Sequence, residues 1–72
     1  MERYRNKSGK SGVTAYAIGA DAIEVRFVGG DVYRYSYASA GRARVEEMKR
    51  LARGGEGLSG YIARHARDAY ER

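Results

Sequence analysis

An α+β fold is expected for this chain, and three observations predict it. Ile23, Val25 and Phe27 alternate with Glu24 and Arg26, the pattern of a half-buried strand. Val32-Tyr33-Arg34-Tyr35-Ser36-Tyr37 repeats that two-residue period just beyond the turn signal Gly29-Gly30-Asp31. The period then changes: Val45, Met48, Leu51 and Ala52 cluster on one side of a helix at roughly 100° per residue. The expected architecture is a three-stranded antiparallel meander followed by two α-helices packed on one face, β-β-β-α-α in two layers.

Each element has its own signal. Residues 1–12 are polar and carry Arg3, Arg5, Lys7 and Lys10 against the single acid Glu2, which predicts a basic, flexible N-terminal arm. The folded domain then spans 13–72. Val13 to Ile18 alternates around Tyr16 as the first strand, and Gly19-Ala20-Asp21 is a turn. Ser39 can cap a helix running from about Gly41 to Arg53, which Gly54-Gly55 ends. A second helix is expected from Leu58 or Ser59 to Tyr70. Its apolar stripe is Leu58, Ile62, Ala66 and Ala69, flanked by Tyr61, His65 and Tyr70.

The sequence resembles the KTSC domain over about residues 11–65. Ser11 and Val13, the strand Ile23-x-Val25-x-Phe27, Gly30, the pair Tyr33-x-Tyr35, then Gly55, Leu58 and Ile62 carry the resemblance. That family occurs at the C-terminus of some lysyl-tRNA synthetases. What the resemblance implies is a small α+β domain without an established activity, for which an RNA-binding role has been suggested.

The tyrosine hairpin admits two registers. A three-residue turn, Gly29-Gly30-Asp31, sets Val28 against Val32, Phe27 against Tyr33, Val25 against Tyr35 and Ile23 against Tyr37. All the apolar side chains then share one face. A two-residue Gly29-Gly30 turn sets Val25 against Arg34 and moves the tyrosines to the face of Glu24 and Arg26. A one-residue slip exchanges the faces. The first register is preferred, because the second would press Arg34 into the core, where an unpaired guanidinium is costly. It also places Arg26 directly opposite Arg34 on the outer face, where a phosphate could bridge the two arginine forks.

Few residues point to catalysis or metal binding. The chain has 72 residues, no cysteine and one histidine, which leaves no thiolate or multi-histidine metal set. His65 has Asp68 and Ser59 within a turn or so, and is read as a half-buried structural histidine. Gly9-Lys10-Ser11 resembles the end of a phosphate-binding loop, but Tyr4 stands where that loop needs a glycine, and no parallel sheet is possible. Glu46 and Glu47 beside Lys49 and Arg50 read as ion pairing, as do Arg64/Asp68, Arg67/Glu71 and Asp68/Arg72.

The charge carries the functional expectation. Fourteen Lys and Arg against nine Asp and Glu give a net charge of +5 and a pI near 9.8, which favours polyanionic partners. Arg42, Lys49 and Arg53 fall nearly in line on the first helix. With Arg26 and Arg34 they form the expected phosphate contacts of a non-enzymatic module that binds RNA or another nucleic acid. Tyr33 and Tyr35 are expected to be core residues, and to stack bases if their face is open. The alternative is an interaction module that joins an acidic protein or dimerises through a strand edge. No cofactor, metal or small-molecule substrate is expected. With no apolar run near the ~18 residues of a membrane span and no signal-peptide pattern at the N-terminus, a cytoplasmic location is expected.

Overall fold

The computed structural model describes residues 1–9 and 11–72. Lys10, the middle residue of Gly9-Lys10-Ser11 and one of the expected arm cations, lies outside the described residues. The chain forms an antiparallel sheet in the order β1 (Glu2–Arg3), β2 (Val13–Ile18), β3 (Ala22–Phe27) and β4 (Val32–Ser36). Helices follow: the single turn α1 (Tyr37–Ala40), α2 (Arg42–Gly54), and α3 (Leu58–Tyr61), which runs on into a π-helical segment, Ile62–Ala66. The α+β class and the order of sheet before helices are as expected. No helix among the described residues is long and apolar enough to cross a membrane.

The strand count is corrected from three to four, because the segment expected as a flexible arm is laid against the body. Glu2 and Arg3 pair with Tyr16 and Ala15. Tyr4 is 3% exposed, and its Oη accepts a hydrogen bond from the Leu58 N–H at 3.3 Å. The Lys7 N–H donates to the Gly55 carbonyl at 2.7 Å. A large aromatic ring gains more from burial than a short polar segment gains from staying in water, so Tyr4 draws its neighbours in.

The β3–β4 hairpin follows neither register weighed from the sequence. Ile23 faces Tyr35, Val25 faces Tyr33, Glu24 faces Arg34 and Arg26 faces Val32. The loop is Val28-Gly29-Gly30, closed by the Phe27 N–H donating to the Asp31 carbonyl at 2.8 Å. Pairing is displaced by two residues from the preferred register, and a displacement of two keeps every side chain on its face. Tyrosines and aliphatic residues of β3 and β4 therefore share the inner face as expected, while their partners differ. Tyr37 leaves the sheet altogether. Ser36, paired with Ala22 at the end of β4, caps α1 instead: its Oγ accepts from the Ser39 N–H at 3.1 Å, and Ser39 Oγ accepts from the Ser36 N–H at 3.0 Å. Ser39 thus closes a capping box on α1 and does not cap α2.

The core lies between the inner sheet face and the helices. Tyr16, Ile23, Val25 and Tyr35 meet Val45, Met48, Ala52, Leu58, Ile62 and Ala66. The last helix ends at Ala66, not at Tyr70. Beyond it the chain turns back so that Tyr70 lies 4.8 Å from the Tyr33 ring and 6.4 Å from that of Tyr35. The Glu71 N–H donates to the Arg34 carbonyl on the β4 edge at 2.7 Å. Ring burial and this edge bond replace another helical turn. The three ion pairs expected on a continuous helix are therefore not formed among the described residues; Glu71 pairs with Arg34 at 3.1 Å.

Gly55 closes α2 with φ +79°, and a methyl group there would meet Arg5 Cβ at 2.7 Å. Both the left-handed backbone and the crossing N-terminal segment demand glycine. Gly54, one residue earlier, is helical with open space around it. Gly55→Ala is expected to destabilise the fold by about 1–3 kcal/mol, and Gly54→Ala to be neutral or stabilising by up to about 1 kcal/mol. Urea denaturation of the two variants beside the parent checks the contrast.

Candidate nucleic-acid interface

The helices pack on the inner face of the sheet, and among the described residues no helix covers the outer face. Antiparallel pairing sets side chains of paired residues on the same side. One outer row is Arg3, Ala15, Arg26 and Val32, and the next is Ala17, Glu24 and Arg34. None of these residues is buried. Arg3 and Arg26 flank Ala15 at two strand spacings, roughly 10 Å between backbones; beside Ala15, at a register shift in β2, exposed Thr14 donates its Oγ1–H to the Arg26 carbonyl at 3.2 Å. Both are exposed, and neither forms an ion pair among the described residues. A groove lined by Arg3, Arg5, Asn6 and Thr14 borders the sheet beside the N-terminal segment.

The expected phosphate contacts fare differently. Arg26 and Arg34 are not opposed, since the register places Val32 beside Arg26. Arg34 lies between two carboxylates, 3.6 Å from Glu24 and 3.1 Å from Glu71, so it is partly neutralised. Arg42 and Arg53 are exposed on α2. Arg42 stands over the Tyr37 ring at 5.9 Å. Arg50 is held by Glu47, with Nε donating to Oε1 at 2.9 Å. That bond holds the Glu47 carboxyl below its usual range and the Arg50 guanidinium above its own.

Lys49 is the clearest correction among the site residues. It is 5% exposed, and its Nζ donates to the Ala20 carbonyl at 3.1 Å and lies 2.9 Å from Glu46 Oε2. The ammonium thus ties α2 to the β2–β3 turn and faces away from any external phosphate. Its position explains this: Val45, Met48, Lys49 and Ala52 are the buried residues of α2, the i, i+3, i+4, i+7 stripe of a core-facing helix. Tyr37 completes the cluster, its Oη donating to Glu46 Oε2 at 2.6 Å. That hydrogen bond raises the Tyr37 phenol and, with the one from Lys49, lowers the Glu46 carboxyl.

The two signature tyrosines do not form an open platform. Tyr35 is 2% exposed. Burial, followed by the neighbouring phenols of Tyr33 and Tyr70, pushes its pKa up to about 12. Tyr33 is half-buried, edge-on to Phe27 at 5.6 Å and tilted against Tyr70. His65 is exposed rather than half-buried, and leans on Tyr61 at 4.9 Å. No group of three metal-ligating side chains occurs among the described residues. Arg3 was missed by sequence reading because a two-residue strand is too short to display alternation.

Lys49→Ala leaves the Ala20 carbonyl without its donor. It is expected to lower stability by about 1–3 kcal/mol in a denaturant titration. Tyr35 gives a pH signature. Its folded pKa lies above the unfolded value of about 10, so its contribution is intact below pH 10 and is lost as pH rises toward about 12. The Tyr16 and Tyr37 phenols are raised as well, so a spectrophotometric titration of the folded protein should show several late ionisations, ending in one at about 12 from Tyr35. Tyr35→Phe should abolish that last ionisation, and an unchanged titration curve would show the assignment to be wrong. No family model, no curated protein and no solved structure was found to match the chain.

Proposed function

We propose that this domain is a non-enzymatic module that binds single-stranded nucleic acid, RNA in the first instance, through phosphate contacts on its uncovered sheet face. The observation that carries the reading is the pair Arg3 and Arg26, exposed and without carboxylate partners among the described residues, on either side of Ala15. The net charge of +5 supplies long-range attraction. Arg42 and Arg53 extend the basic surface on α2, and Arg34 contributes in part. Lys49 has no role in binding under this proposal. Kinship with the KTSC family belongs to the same proposal. What supports it is the strand and helix order, together with the structural use of Val13, Ile23, Val25 and Tyr35, all buried. A cytoplasmic location belongs to it as well.

The alternative of a strand-edge dimer is less well supported. The β4 edge is engaged by Glu71, and β1 is two residues long. An acidic protein could meet the same arginines, and the binding experiment separates it from RNA.

Anisotropy of a labelled single-stranded RNA of mixed sequence, titrated over a salt series, tests the proposal. Affinity should fall steeply with salt. Arg3→Glu combined with Arg26→Glu should weaken binding about tenfold or more and reduce the logarithmic salt slope by about 1.4, near 0.7 for each phosphate no longer neutralised. Absence of salt-sensitive RNA binding, or a double variant indistinguishable from the parent, refutes it.

A further inference from the structure

Where β3 turns into β4, a cleft of about 380 Å³ opens toward the end of the last helix. Its lining is mainly aromatic, from Phe27, Tyr33, Tyr35 and Tyr70, with Ile62 beside them; Tyr35 and Ile62 are buried. Its rim is polar, formed by Asp31, Arg67 and Asp68, all exposed. None of the three makes an ion pair or a side-chain hydrogen bond among the described residues. Two acids and an arginine therefore line one cleft with their polar groups free to meet a ligand. The backbone points to the same place. Arg67 and Asp68 directly follow the π-helical segment Ile62–Ala66, and π-helical turns are rare and occur frequently at functional sites.

The lining restricts what can enter. A cation would meet Arg67, and an anion would meet two carboxylates. A purely apolar group would strip water from three polar side chains and give them nothing in return. A flat, neutral group with paired donors on one edge and acceptors on another satisfies all of them. Among the nucleobases this describes guanine. Its N1–H and N2–H₂ are adjacent donors that match the two oxygens of one carboxylate, an acceptor-only group. Its O6 and N7 are acceptors that suit an arginine fork. Adenine, cytosine and uracil each present a single donor group on that edge and cannot engage both carboxylate oxygens.

We infer that this cleft receives a guanine base of single-stranded RNA, stacked on the aromatic wall, held by Asp31 or Asp68 along its N1/N2 edge and by Arg67 at O6 and N7. The inference rests on the RNA reading above and gives it a base preference. Stacking on a tyrosine ring is open to any base; the carboxylate is what selects.

The test compares single-stranded RNAs of equal length and charge, an oligouridine carrying one central guanosine and the same strand carrying one adenosine. Guanosine monophosphate serves as a separate probe, followed by the resonances of Tyr33 and Tyr70. The guanosine strand should bind about tenfold tighter, the discrimination expected of one bidentate contact. Asp31→Asn or Asp68→Asn should erase that preference while leaving the salt slope unchanged. Arg67→Gln should reduce it. These side chains are exposed and unpaired, and thermal melts confirm that each variant is folded. Equal binding of both strands with a normal salt slope overturns the guanine inference and leaves the RNA reading standing. A preference that survives both aspartate variants also overturns it. Binding of the mononucleotide without binding of either strand overturns the RNA reading, and with it RNA as the source of the base.

Discussion

The closure of a single sheet face governs the rest of this molecule. Ile23, Val25 and Tyr35 line one side of β3 and β4, and Val45, Met48, Leu58 and Ile62 cover them. Each of these side chains is at most 6% exposed. A chain of 72 residues buries only about 60% of the surface its unfolded form exposes, and its short helices have no second apolar stripe to lay on the other side. The opposite face must therefore be acceptable to water. It consists of alanine, arginine, glutamate and a single exposed valine, Val32. The surface proposed for RNA is what remains when a small core has been completed on one side only.

Much of this was legible because it depends on period alone. The two-residue alternation puts Ile23, Val25 and Phe27 on one side of their strand and Tyr33 and Tyr35 on one side of theirs, and every pairing that keeps Arg34 out of the core brings the two sets to the same face. The 13–18 strand and the end of α2 at Gly55 follow from equally local signals. What escaped depends on distance. The register differs by two residues because the loop takes in Val28 and releases Asp31, a choice that leaves facial parity untouched and so has no mark in the pattern. Tyr4 sits among polar residues, and only the pocket beneath Leu58 explains its burial. The last helix stops early because Tyr70 has rings to pack against elsewhere. Lys49 was misread for a different reason. It aligns with Arg42 and Arg53, but it also completes the stripe of Val45, Met48 and Ala52, and the second alignment is the one the fold uses.

The electrostatic consequence is a sorting of cations. Lys49 and Arg50 are engaged by Glu46 and Glu47 on their own helix, and Arg34 by Glu24 and Glu71. Lys49, Glu46 and Tyr37 form a connected cluster that fastens α1 and α2 to the β2–β3 turn through Ala20. The charge available to a partner is therefore narrower than the composition suggests. It lies on Arg3 and Arg26 of the sheet, on exposed arginines of α2, and on exposed cations of the N-terminal segment and the end of the last helix, Arg5, Lys7, Arg64 and Arg67 among them. A polyanion would experience a surface with a defined orientation rather than a uniformly positive sphere.

The Tyr4–Leu58 hydrogen bond joins residues 54 apart in sequence, and this separation bears on how the chain acquires its structure during synthesis. When β1 to β4 have left the ribosome, Tyr4 still has no pocket, because Leu58, Ile62 and Ala66 have yet to emerge. The nascent sheet must wait with its inner face unprotected. Contacts this distant in sequence close late and slow the approach to the native state. An exposed face and open strand edges during that interval invite association with other chains. For this domain the vulnerable period ends only when its final helix is released, so its yield in a cell depends on the passage of the closing stretch of chain as much as on the stability of the finished fold.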